Sequence, residues 1–464
     1  MHSIKYARIG SCISKNKQSG VIDMEEEHVR IDWTSEKMSR DDILKFQQKR
    51  LKALLNRAWE HVPFYRRIWK EHGFSPDQVK SVEDIIKVPF ITKKDIADSM
   101  VQFPPFGDYQ GDFPVIRVQA STGSTGKPKP IFHTRNDWEN ITSLWARRLS
   151  AQGIGSKDIV QIAFAYTLFI VGFTSTEGVM KTGAMVVPTG SGAVTPSERQ
   201  LQTAHDWGVT AFGCTGSYML RLADVAKKMG FDTKRDFKVR VSFHTAEPLT
   251  EEMRTDIEKI WGCRAYNNYG SVETGAPTFE CEHQDGLHIS EDAYIFEIID
   301  PVSGKPVADG EEGELVATTL FKEAAPLIRY RIGDIAAFIP GECGCGRTFR
   351  RMSSIRGRVD DMIKVKGVAV YPTDFEPSIK QSGLFGSEYL IKLWKEGQRE
   401  LVKVLVDFHG EEGDLKSSCE ALSADLHKAL GLRCEVEVLP RDQIEKLLDT
   451  EKRTKYKRIL DLRK

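Results

Sequence analysis

Between Asp158 and Tyr269 the chain alternates short apolar, β-prone runs with helix-prone stretches, and this alternation narrows the fold more than any other feature. The runs are Asp158 to Tyr166, Gly183 to Pro188, Val209 to Cys214, Lys238 to Phe243 and Arg264 to Tyr269; helical stretches such as Gly216 to Met229 and Thr250 to Trp261 lie among them. Such a pattern predicts an α/β domain with a mostly parallel sheet and helices on its faces. Ligands of such sheets gather outside the carboxyl ends of the strands. Three stretches should therefore line a site: Phe164 to Phe169, Phe243 to Pro248, and Asn268 to Thr274.

A chain of 464 residues exceeds what one hydrophobic core usually serves, so at least two domains are expected. From Arg40 to Gly73, Ile43, Phe46, Leu51, Leu54, Leu55, Ala58 and Val62 recur at helical spacing until Pro63 ends the helix. From Leu287 to Ile339 short strands with Gly and Pro turns predict a small antiparallel barrel or ribbon. Beyond Gly357 to Asp361, the segments Leu401 to Phe408, Leu415 to Leu430 and Cys434 to Leu439 read as β-α-β. The expected division is a large N-terminal domain over 1–358 and a smaller α+β domain over 359–464, with the boundary close to Asp360.

The 66 basic and 66 acidic residues cancel, so nothing global attracts nucleic acid or a charged membrane surface, and neither is expected as a partner. No apolar run reaches the roughly 18 residues of a membrane span; even Ile159 to Phe173 is interrupted by Gln161, Tyr166, Thr167 and Gly172. The eight cysteines are scattered and the N-terminus has no apolar leader, which predicts a cytoplasmic protein. A homodimer stays open.

Ser121-Thr122-Gly123-Ser124-Thr125-Gly126-Lys127-Pro128 follows the extended stretch Val115 to Ala120 and precedes Lys129 to His133. Hydroxyls, small residues and one ammonium make a donor-rich concavity suited to a polyphosphate. It is not a Walker loop. That motif needs glycine where Ser121 stands, and Ser or Thr where Pro128 stands. A Ser/Thr/Gly run is also what a linker looks like, and the motifs further along decide between the two.

Those motifs are Ala246-Glu247-Pro248, Asn268-Tyr269-Gly270-Ser271-Val272-Glu273-Thr274, Tyr330-Arg331-Ile332-Gly333-Asp334, Gly357-Arg358-Val359-Asp360-Asp361 and Thr454-Lys455-Tyr456-Lys457-Arg458. With them the chain resembles the phenylacetate–coenzyme A ligase branch of the adenylate-forming superfamily, from Val62-Pro63-Phe64-Tyr65 to the C-terminus. The resemblance implies ATP-dependent activation of an aryl or arylacetic acid as an acyl-adenylate, followed by transfer to coenzyme A with release of AMP and pyrophosphate. It implies phosphate contacts from the 121–127 loop, an adenine site at Ala246, Glu247 and Pro248, and Tyr269 stacked on adenine. Glu273 is then aimed at magnesium (Mg2+), Asp334 and Arg358 at the ribose, and Asp360 is the pivot of a domain rotation. Lys455 becomes the adenylating lysine, and Lys366 with Gly367 a candidate wall of the thiol tunnel. Two positions depart from the pattern: Val272 replaces a hydroxyl residue, for which Ser271 or Thr274 could stand in, and Thr454 replaces glycine.

Two further features point to ligands. Cys343-Gly344-Cys345 and Cys281-Glu282-His283 with His288 supply soft ligands at both ends of an antiparallel segment, as a closed structural zinc (Zn2+) site needs, with His283 competing with His288. Phe164, Tyr166, Phe169, Phe173, Phe243 and His244 lie on adjacent strand ends and could line a pocket for a flat ring, or could be sheet core. Where the family has Tyr-Gly-Leu-Phe this chain has Tyr166-Thr167-Leu168-Phe169, so an acid smaller or more polar than phenylacetate is expected. Two other functions stay open: adenylation with a different acceptor, and a non-catalytic nucleotide-binding relative.

Overall fold

The structure is a computed structural model that describes residues 31, 33–121, 128–365, 368–397, 399–448 and 458–463. The helix Arg40–His61 is capped by Ser39, whose hydroxyl accepts from the Asp42 amide, and Asp41 and Asp42 complement its dipole. Pro63 opens the next helix, Pro63–Glu71, where its missing N–H costs nothing.

The alternation between Asp158 and Tyr269 is realised as a parallel sheet of five strands in the order Met185–Val187, Ile159–Ile162, Ala211–Cys214, Val241–His244, Arg264–Asn267. The chain reverses direction across the sheet between Ile159–Ile162 and Ala211–Cys214. A crevice at the carboxyl ends of these strands is the place where doubly wound sheets bind ligands. The hairpin of Arg117–Ser121 with Lys129–His133 stands beside this crevice, since the Ala120 amide donates to the Leu168 carbonyl at 2.8 Å.

The region read as a small antiparallel barrel or ribbon forms successive antiparallel pairs, within an eight-stranded sheet among the described residues. Its long strand Tyr330–Ile339 pairs with Glu312–Thr319, Arg351–Met352 and Gly357–Arg358, and also, in parallel, with Ile91–Thr92 from far upstream. Ile91–Thr92 joins from more than 200 residues away, and such a partner leaves no local periodicity in the sequence.

From Ile363 onward the chain packs a core of its own, which includes Phe375, Tyr389, Ile391, Val404, Leu422 and Leu426. Its sheet runs Cys434–Val438, Arg399–Phe408, Phe385–Glu396, Ile459–Asp461. The parallel pair Arg399–Phe408 and Cys434–Val438 flanks the helix Leu415–Leu430, the expected β-α-β unit. Among the described residues no helix is long and apolar enough to cross a membrane.

Candidate active site

Three residues from three distant motifs meet at one carboxylate. Asp334 and Arg358 are register partners on antiparallel strands, so their side chains are neighbours by construction. Arg358 Nη1 donates to Asp334 Oδ1 at 2.7 Å, and Tyr269 Oη donates to Asp334 Oδ2 at 2.7 Å. Burial, and then the charge of Asp334, hold the Tyr269 phenol far above the usual tyrosine range, so it stays a donor.

The loop bearing Tyr269 is tightly folded. A side chain at Gly270 would place its Cβ 2.2 Å from the Gly275 carbonyl oxygen, so only glycine fits. Ser271 and Thr274 cap one another: each amide donates to the other's hydroxyl at 3.1 Å, and the hydroxyls bond at 2.9 Å. Both proposed stand-ins for the missing hydroxyl at Val272 are thus committed to each other, while Val272 packs on the core. Asn268 accepts from Gln152 Nε2 at 2.7 Å through Oδ1.

At the end of the strand Val241–His244 the chain turns sharply, with Ala246 at φ 75°. A left-handed alanine costs about 1–2 kcal/mol, a strain that clusters at functional turns. Glu247 accepts from the amide of Ser217 at 2.6 Å and from its hydroxyl at 3.0 Å, so its carboxylate sits on the N-terminus of the helix Gly216–Lys228. Burial raises its pKa, while the Ser217 bonds and the charge of Arg458, from the C-terminal unit, lower it. Pro248 completes the turn, exposed.

The aromatic group divides. Tyr166 lies edge-on to Phe173 with centroids 5.3 Å apart, and its hydroxyl bonds to Thr176 at 2.6 Å. Phe169 is half-buried and Thr167 and Leu168 are exposed. Phe243 is fully buried between Trp145 and Phe164, and its ring covers Gly213 where a Cβ would be 2.3 Å away. His244 is fully buried with both ring nitrogens engaged: Nδ1–H donates to the Cys214 carbonyl at 3.1 Å, and Nε2 accepts from Ser242 at 2.9 Å. Burial lowers its pKa to about 4, so the ring is neutral at physiological pH.

Sequence reasoning missed Gln119. Its Nε2 donates to the carbonyls of Leu168 at 3.1 Å and Phe169 at 2.9 Å, tying the aromatic loop to the strand that leads into the 121–127 loop. A lone glutamine in an extended run carries no signal of such a contact. Ser121 ends that strand with its hydroxyl buried and without a hydrogen-bond partner among the described residues. Thr122, Gly123, Ser124, Thr125, Gly126, Lys127, Lys366, Gly367 and Lys455 lie outside the described residues.

Cys281, His288, Cys343 and Cys345 converge, their ligand atoms all within 4.8 Å of one another. Cys281 Sγ is 3.7 Å from Cys343 Sγ, and Cys345 Sγ is 3.4 Å from His288 Nε2. His288 Nδ1–H donates to the Phe349 carbonyl at 3.3 Å, which leaves the Nε2 lone pair facing the sulfurs. Thus His288, not His283, joins the group; the His283 ring lies against Gly344.

Comparison with known proteins places this geometry among relatives. The AMP-binding enzyme family matches residues 115–319, and the AMP-binding enzyme C-terminal domain matches 367–463. The phenylacetate-coenzyme A ligase of Pseudomonas putida is 36% identical over 410 residues, 86% of this chain and 91% of that protein. The phenylacetate-coenzyme A ligase of Thermus thermophilus is 35% identical over 450 residues, 92% of this chain and 98% of that one. The solved structure of 2-hydroxyisobutyryl-CoA ligase in the postadenylation state superposes with a TM-score of 0.84 at 29% identity, covering 92% of this chain and 91% of that one. Its thioesterification state superposes with a TM-score of 0.69 at the same identity, covering 93% and 92%.

Proposed function

The chain belongs to the AMP-binding enzymes, in the phenylacetate–coenzyme A ligase family, and on that premise we propose that its acid is a compact aromatic one held beside Tyr166. The protein is an AMP-forming acid–CoA ligase. The acid's carboxylate attacks the α-phosphorus of ATP, an acyl–oxygen–phosphorus bond forms and the bond to pyrophosphate breaks. The coenzyme A thiol then attacks the acyl carbonyl, a carbon–sulfur bond forms and AMP leaves.

The observation that carries the assignment of roles is the meeting of Tyr269 and Arg358 on Asp334. A carboxylate accepts well from two ribose hydroxyls. Tyr269, Ala246 and Pro248 then border the adenine, and the half-buried Glu273 faces the phosphates. Magnesium bound there would neutralise charge on the polyphosphate. The 121–127 loop cradles the phosphates and Lys455 serves adenylation; both assignments rest on the motifs alone. The better superposition on the postadenylation state supports reading the unit beyond Asp360 as a mobile domain, placed here as in that state.

For the acid, the edge-to-face pair Tyr166–Phe173 and the half-buried Phe169 form an apolar wall with Phe243 as part of the supporting core. Thr167 adds bulk where the family has glycine. In ATP–pyrophosphate exchange with a panel of acids, benzoate-sized rings are expected to react fastest, followed by phenylacetate. A preference for 2-hydroxyisobutyrate, or for chains of about ten carbons with each methylene adding about 0.8 kcal/mol, overturns this reading. Exchange that proceeds while coenzyme A is not consumed would point to another acceptor.

The four converging ligands fit a tetrahedral structural zinc site, with no position left open for chemistry. One equivalent of zinc per chain is expected from elemental analysis of the purified protein. Its chelation should lower the melting temperature while leaving the turnover of the surviving folded fraction within about twofold. Metal-free protein with four titratable thiols here would refute the assignment.

A further inference from the structure

The backbone carbonyls of the Tyr269–Thr274 loop hang on buried side chains from three separate elements. Arg148, on the helix Arg135–Ala151, donates from Nη2 to the Tyr269 carbonyl at 2.9 Å. Tyr294, on the strand Tyr294–Ile299, donates to the Thr274 carbonyl at 2.6 Å. Lys322, just past the strand Glu312–Thr319, donates from Nζ to the Glu273 carbonyl at 2.6 Å. None of the three donors is more than 1% exposed.

Lys322 is the hardest to explain as packing. Its ammonium makes that one hydrogen bond and no direct ion pair among the described residues. Asp137 is the buried acid whose charge acts most on it, but its oxygens are occupied by the amides of Thr134 at 2.9 Å, Glu323 at 2.7 Å and Ala324 at 3.2 Å. His133 is fully buried nearby with neither ring nitrogen hydrogen-bonded among the described residues, and brings no negative charge. An ammonium buried with so little compensation costs stability that an apolar residue would not. Burial draws its pKa down to about 8, while the charges of Asp137 and Glu273 work the other way. A costly buried cation, aimed at the carbonyl of the residue assigned to the phosphates, is better explained by function than by packing.

We propose that Lys322 is a positioning residue of the adenylation step: it holds the Glu273 carbonyl so that the Glu273 side chain faces the phosphates, and its charge behind the loop favours the polyphosphate. The proposal rests on the role given above to Glu273. A fixed cation in a dry environment needs no reorganisation when charge arrives, which makes it more effective than the same charge in water.

The test compares Lys322→Met, Lys322→Gln and Glu273→Gln with the unaltered enzyme. Three quantities are measured: pyrophosphate exchange, acyl transfer from a supplied acyl-adenylate to coenzyme A, and calorimetric affinity for AMP and for ATP in metal-free buffer. Lys322→Met is expected to lower exchange by about 10²-fold and to weaken metal-free ATP by about tenfold, the range of one charge-assisted hydrogen bond, while AMP binding and transfer stay within about threefold. Lys322→Gln keeps a donor for the carbonyl but no charge, so it should recover about tenfold in exchange while ATP binding stays weak. Exchange retained in both Lys322 variants but lost in Glu273→Gln overturns the proposal alone. Full exchange in Glu273→Gln removes the reading beneath it. Equal losses in exchange, transfer, AMP and ATP binding would make Lys322 merely structural, and so overturn the proposal too. If Lys322→Met does not fold, Lys322→Gln carries the same comparison.

Discussion

Lys455→Ala is expected to lower ATP–pyrophosphate exchange by about 10³-fold, the order of effect that one cation exerts on a transferring phosphoryl group. Transfer of the acyl group from a supplied acyl-adenylate to coenzyme A should stay within about threefold, because that step proceeds after the phosphate has been attacked. The reason is electrostatic: an acid carboxylate approaching the α-phosphate meets like charge, and a lysine bridging the two removes the repulsion where it is greatest. The assignment rests on the motif Lys455-Tyr456-Lys457-Arg458. Arg458 lies directly before the strand Ile459–Asp461, which pairs with Ile391–Leu393 inside the C-terminal unit. Arg458 is 3.2 Å from Glu388, lies over the Tyr389 ring at 4.4 Å, and acts on Glu247 in the turn after Val241–His244. Lys457→Ala is the control and should stay near full activity. Equal loss of both half-reactions in Lys455→Ala would exclude the role.

Asp334→Asn is expected to lower kcat/KM for ATP by about 10²-fold, since each charge-assisted hydrogen bond lost from the ribose costs about 1.5–3 kcal/mol. The substitution keeps the shape of the side chain but removes the charge that orders Tyr269 and Arg358. It also leaves a guanidinium facing an amide, so a fall in stability of about 1–3 kcal/mol should accompany the kinetic loss. Unlike Lys455→Ala, it should impair both half-reactions, because the ribose is bound in each. Denaturant unfolding separates the stability effect from the kinetic one. An Asp334→Asn enzyme with unchanged KM for ATP would show that the carboxylate serves only to pair Arg358.

The alternation from Asp158 to Tyr269 was enough to give the parallel sheet and the three strand ends at its crevice, because hydrophobic periodicity is a local property of the chain. The β-α-β segment from Leu401 to Leu439 was legible for the same reason. Ordered motifs such as Tyr269 to Glu273 and Tyr330 to Asp334 carry chemistry in residue type and spacing, so the functional class could be read from them. What these motifs build together could not be. The bonds of Tyr269 and Arg358 to Asp334 join residues 65 and 24 positions apart, and only strand register brings them within reach.

Tertiary structure also chose between residues that look alike in sequence. His288 rather than His283 meets the three cysteines, because its strand turns Nε2 toward them while Phe349 fixes Nδ1. His244 has the look of a pocket residue, yet Ser242 and the Cys214 carbonyl hold its ring inside the sheet. Gln119 and Lys322 carried no signal at all: each acts on a backbone carbonyl of a distant loop, and a carbonyl is the same in every sequence. Local chemistry and periodicity thus determined the class of fold and the kind of reaction, whereas the folded chain alone decided which side chains hold the reacting loops, since those contacts depend on long-range packing rather than on neighbouring residues.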